Sequence, residues 1–107
     1  MVRVLPSGCA ACLSIVALML IASPAFGADA QNGERIATRW CTACHVVASG
    51  QRQSATEATP FREIAKRSDF DANKLAFFLL NPHPVMPNMG LSRIEAADPA
   101  AYIAALQ

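Results

Sequence analysis

The sequence predicts an all-α domain behind an apolar N-terminal segment. Three observations carry that reading. Apolar residues recur at helical spacing in separate stretches of the second part of the chain. The residues Asp29, Asp71 and Ser92 each stand where a side-chain oxygen would cap the first turn of such a stretch. No stretch shows the alternation or the β-branched run of a strand, and there is no repeat or low-complexity segment.

The N-terminus comes first. Behind a short start carrying Arg3, residues 9–25 run CAACLSIVALMLIASPA, almost unbroken apolar and small residues. A basic start, an apolar stretch and the small-residue exit SPAFGADA describe a secretory signal peptide over residues 1–30, with the domain over 31–107. Cleavage after Gly27 or after Ala30 satisfies the small-x-small rule, and Ala30 is the preferred bond. The apolar stretch is short for a membrane span. Arg3 alone makes a thin basic region, so an uncleaved N-terminal anchor is the rival. LPSGC at 5–9 is no lipoprotein box, because Cys9 precedes the apolar stretch instead of following it. Cys9 and Cys12 fall in the segment to be removed and read as small hydrophobes.

Asp29 caps a first helix that the pattern carries through Cys44, with Gly33, Ile36, Ala37, Trp40 and Cys44 on its stripe. Residues 46–58 have no period and form a loop. Pro60 opens a short helix at its first position, where a missing N–H is harmless, and Phe61, Ile64 and Ala65 form the buried side. Asp71 caps a third helix, ANKLAFFLL, with Phe70 and Leu75 at staple spacing. That helix is apolar on most of its circumference and needs something to bury against on two sides. Pro82 ends it, and NPHPVMPNMG, with three prolines in ten residues, is a stiff loop. Ser92 and Glu95 form a capping box for a last helix reaching Leu106.

The full chain has 107 residues, a formal net charge of +1, 53% hydrophobic residues and four cysteines. A domain over 31–107 is too small to hold itself with side chains alone and normally needs disulfides, a metal or a large cofactor. Only Cys41 and Cys44 remain in it, and one short-loop disulfide would constrain the unfolded chain little.

The decisive stretch is CTACH at 41–45. On a helical turn, positions i, i+3 and i+4 share a face, so two thiols reach one edge of a planar ligand while an imidazole rises over its centre. C-x-x-C-H is the signature of covalent c-type haem attachment, with Cys41 and Cys44 forming the thioethers and His45 binding the iron from the proximal side. A thioredoxin-like pair needs a βαβ context that is missing. A zinc site would have to use Cys41, Cys44, His45 and His83, and the adjacency of Cys44 and His45 makes shared tetrahedral coordination awkward. A single haem also supplies the missing core and the second buried face of the third helix.

These features resemble a class I c-type cytochrome, over nearly all of residues 32–107. CTACH is the most specific part. Gly33, eight residues ahead of Cys41, matches a position where that family keeps a small residue for a close helix crossing, and Tyr102 matches the aromatic of its last helix. The resemblance implies a cytochrome c-like bundle of three to five helices around one covalent haem c. It also implies that the Pro60 carbonyl holds the imidazole of His45, although the family's usual glycine before that proline is absent. Pro99 departs from the pattern, and an interior proline costs about 3 kcal/mol. A kink there, or a helix that begins properly only at Asp98, is therefore expected, with looser packing on Gly33. Trp40 reads as core or haem-edge packing.

Three side chains compete for the sixth iron position: His83, Met86 and Met89. Prolines on both sides limit His83, and a histidine ligand would leave two methionines unexplained. Met86 precedes Pro87 and lies sixteen residues before Tyr102, close to the family's spacing, so the distal ligand is assigned to Met86.

The expected function is periplasmic electron transfer, with redox proteins as donor and acceptor. A haem-bearing subunit of a larger dehydrogenase or oxidase is the alternative, and a ligand-binding or peroxidatic haem protein the third reading. No nucleophile–base constellation suggests an enzyme. The small, mixed charge suggests no nucleic-acid partner, and a membrane partner is expected only if the signal segment stays uncleaved.

Overall fold

The structure is a computed structural model describing Val2 and residues 27–51, 56–82 and 84–107. Cys9, Cys12, nearly all of the proposed signal segment and His83 lie outside the described residues. Four helices and no strand occur among the described residues, as the all-α reading requires: α1 (Ala30–Trp40), α2 (Phe61–Ala65), α3 (Ala72–Leu80) and α4 (Arg93–Ala104).

The caps fall where local chemistry placed them. The Asp29 carboxylate accepts from the Asn32 N–H, and Asp71 accepts from the Lys74 N–H. At Ser92 both halves of the capping box are present, satisfying two N–H groups that a helix start otherwise leaves open. The ends differ from expectation. α1 stops at Trp40 rather than Cys44, because the chain tightens there into a turn. Pro60 is the N-cap of α2 rather than its first residue, and its carbonyl accepts from the N–H groups of Glu63 and Ile64.

α4 is the central element, with α1 and α3 packed extensively against it and α2 less so. The α1–α4 crossing is backbone on backbone. A Cβ at Gly33 would overlap the Asp98 carbonyl and lie 2.7 Å from the Pro99 nitrogen. The expected restart at Asp98 does not occur, since α4 runs from Arg93 through Pro99 to Ala104. The capping box secures its first turn. Nor is the packing on Gly33 looser: the Asp98 carbonyl makes the closest approach, and the adjoining Pro99 nitrogen, which carries no hydrogen, comes next.

Ala37, Val47, Phe61, Ala65, Tyr102 and Ile103 form the core with Cys41. Phe70 and Leu75, the staple pair, pack against it. Trp40 is not a core residue. It is 41% exposed, and the Arg39 guanidinium lies 5.3 Å from its ring centroid, a cation–π contact at the surface.

Candidate functional site

The turn after α1 keeps helical bonding although the helix has ended. The Cys41 carbonyl accepts from the Cys44 N–H at 3.1 Å and from the His45 N–H at 2.7 Å. The expected i, i+3, i+4 grouping results: Cys41, Cys44 and His45 all line one cleft of about 660 Å³, a volume within the range of cofactor sites. Its walls are mostly apolar, with Phe61 and Ile64 of α2, Leu75, Phe78 and Leu79 of α3, and Ile103 of α4 among them. This accounts for the apolar circumference of α3, one side of which meets α4 and another the cleft.

Burial pushes the Cys41 thiol up to about 11, and the neighbouring Cys44 adds to the shift. Redox-active thiols show the opposite displacement, so Cys41 is not poised as the nucleophile of a dithiol pair. Both cysteines are free thiols. Among the described residues no group of three or more His, Cys, Asp and Glu side chains gathers as a metal-binding cluster.

His45 is half-buried, its ring 5.3 Å from that of Phe61. Its Nδ1 lies 2.7 Å from the carbonyl oxygen of Thr59. A carbonyl only accepts, so Nδ1 carries a proton, and in the neutral ring Nε2 is the nitrogen with the lone pair. Such a bond fixes the tautomer and raises the basicity of the second nitrogen. The acceptor is thus Thr59, not Pro60 as the family resemblance implied, because the Pro60 carbonyl is already occupied by the start of α2.

Sequence reasoning passed over two residues that shape this side of the cleft. Gln51, in the aperiodic loop, accepts from the Val47 N–H at 3.0 Å and donates to the carbonyls of His45 at 2.9 Å and Thr42 at 3.3 Å. Thr56 donates to the Cys44 carbonyl at 2.8 Å. Both are single polar residues without periodicity, and nothing in the sequence marks them. From α4 the Tyr102 hydroxyl donates to the Val47 carbonyl at 2.6 Å, and burial raises its pKa above the ordinary 10.0.

Met86 and Met89 are both half-buried and both line the cleft. Gly90 adopts φ 63°, the left-handed conformation glycine takes without strain, and its N–H donates to the Asn88 side chain.

A small helical domain whose apolar cleft gathers the two thiols and the imidazole of a C-x-x-C-H turn has the architecture of a c-type cytochrome. The comparison with known proteins agrees, and the chain belongs to the class I c-type cytochromes. It is 50% identical over 93 residues to cytochrome c-552 of Bradyrhizobium diazoefficiens, a match covering 87% of this chain and 89% of that relative. No protein-family model matches the chain, and no solved structure matches it significantly. Covalent haem c is the cofactor of this class and haem-based electron transfer its work. The cleft fits that group, offering apolar walls for a flat macrocycle and two thiols with a tautomer-fixed imidazole at its edge.

Proposed function

We propose that the chain is exported, loses its N-terminal segment and serves as a monohaem electron carrier of the periplasm. Cys41 and Cys44 hold the haem covalently, His45 is the proximal iron ligand and Met86 the distal one. The observation that carries this reading is the convergence of Cys41, Cys44, His45 and Met86 on one apolar cleft.

When bound, the haem supplies a one-electron iron couple, whose potential a methionine ligand raises. The chain's own residues attach, orient and shield. The Thr59 carbonyl holds the imidazole so that its lone-pair nitrogen is left for the metal. Phe61, Leu79 and Ile103, all buried, keep water from the cleft. A thioether in the sixth position excludes small ligands, which is what a carrier needs and a peroxidatic protein must avoid. The reading involves no substrate-converting step, and its partners are redox proteins.

The choice of Met86 over Met89 rests on position along the loop, next to Pro87 and sixteen residues before Tyr102. Replacement of Met86 by alanine is expected to abolish the far-red sulfur–iron band of the oxidised protein, lower the potential and admit carbon monoxide to the reduced form. Met89→Ala keeps the band. The reverse pattern would move the ligand to Met89, and a band surviving in both variants would remove methionine from the site.

A second reading, a haem-bearing subunit of a larger dehydrogenase or oxidase, draws on Phe77, Val85 and Ile94, which are 74%, 87% and 75% exposed. Stable co-purification with a larger redox enzyme would favour it.

A further inference from the structure

The start of α1 is tied to the far end of the sequence. Asp98, only 5% exposed on α4, accepts from the Asp29 backbone N–H at 2.8 Å and from the Asn32 side-chain amide at 2.7 Å. Asp29 does three things at once. Its N–H serves the buried carboxylate, its side chain accepts from the Asn32 N–H at 3.0 Å, and its carbonyl accepts from the Gly33 N–H at 2.9 Å. Ala30 packs against the core cluster. Two residues earlier the situation is different. Gly27 and Ala28 are exposed, and space is open around Gly27.

Among the bonds that satisfy the small-x-small rule, two lie at the start of the domain, Gly27–Ala28 and Ala30–Gln31. Cleavage at the second would remove Asp29 and Ala30. Asp98 would lose one of its two donors inside the protein, where an unmatched polar group is costly. The N–H groups of Asn32 and Gly33 would lose their acceptors. The new ammonium would also stand on Gln31, in the first turn of α1, at the positive end of the helix dipole. Cleavage at the first bond leaves every one of these contacts in place and sets the ammonium on an exposed residue outside the helix.

We infer that the leader is removed between Gly27 and Ala28, so that the mature domain spans 28–107, and that Asp98 is the residue that docks the mature N-terminus. The inference rests on the export reading. The step is hydrolysis of one peptide bond by one water: Gly27 leaves as a carboxylate on the leader, and Ala28 keeps the ammonium. The co-reactant is an export-membrane endopeptidase that accepts small residues at the first and third positions before the bond, here Gly27 and Ala25.

The test is the holoprotein made from the full gene in a bacterial host competent for haem c, analysed by intact mass and N-terminal sequencing. A periplasmic product starting at Ala28 is expected. A product starting at Gln31, or an unprocessed chain in the membrane fraction, would overturn the cleavage site while leaving export standing. Unprocessed chain confined to the cytoplasm would overturn export itself. Docking is tested separately by joining a standard cleavable leader directly to Ala28 or to Gln31. The form starting at Gln31 is expected to melt roughly 10 °C lower. Asp98→Asn should lower the melting temperature clearly in the Ala28 form and much less in the Gln31 form. Equal effects in both forms would show that Asp98 does not dock the N-terminus.

Discussion

The two loops that frame the cleft are built on opposite principles. The segment 41–61 is cross-linked by side chains: Gln51 reaches three backbone groups, Thr56 two more, and Tyr102 of α4 ties down Val47. The segment 81–91 shows, among its described residues, one side-chain bond within the loop, from the Gly90 N–H to Asn88. Its stiffness comes from Pro82, Pro84 and Pro87, which limit the unfolded chain as much as they order the folded one. The histidine side is held by bonds that form on folding, and the methionine side by restrictions present before folding.

That contrast can be broken at its base or sharpened loop by loop. The largest effect is expected from Gly33→Ala, because the added methyl meets backbone and not a movable side chain. Overpacking of this kind costs about 3 kcal/mol or more and would spread α1 from α4, loosening both loops together; thermal melting of the holoprotein measures it. Gln51→Ala comes next. It leaves part-buried backbone groups of the 41–51 loop unmatched and should cost about 1–3 kcal/mol. Amide exchange should rise in that loop and not in 81–91. Asn88→Ala, the counterpart across the cleft, removes one exposed bond and should cost less than about 0.5 kcal/mol in the same melting experiment.

The smallest effect belongs to acid. The Ser92 backbone N–H, then its side chain, hold the Glu95 carboxyl below its ordinary 4.5. A depressed folded value means that its contribution is complete above 4.5 and is lost as the pH falls through the lower value. Acidification should therefore release the α4 end of the methionine loop while leaving the Gln51 clamp, which does not titrate, intact. Glu95→Gln should flatten the dependence of melting temperature on pH below 4.5.

What could be read from the sequence was what is local. Asp29, Asp71 and Ser92 act on N–H groups three residues away, and such caps depend on nothing else. The C-x-x-C-H grouping was legible for the same reason, since one turn of backbone sets it. The misreadings needed distant information. The apolar period runs on to Cys44 although the backbone has already turned after Trp40, so periodicity alone carries α1 too far. Size alone suggests core or haem-edge packing for Trp40, yet of the two the core is excluded, since the ring lies 41% exposed against Arg39. The carbonyl under His45 is that of Thr59 and not that of Pro60, a choice that depends on what α2 takes from Pro60. The role of Asp98 spans 69 positions of sequence and had no local trace.

The crossing at Gly33 sets terms for how this chain can diverge. Main chain touches main chain there, so the spacing of α1 and α4 does not depend on any side chain that drift could resize. Substitutions elsewhere on the two helices can accumulate and be repacked without moving the axes on which the cleft is hung. The freedom of the many is secured by the immobility of one position, and variation that reaches Gly33 has no neighbouring change able to compensate it.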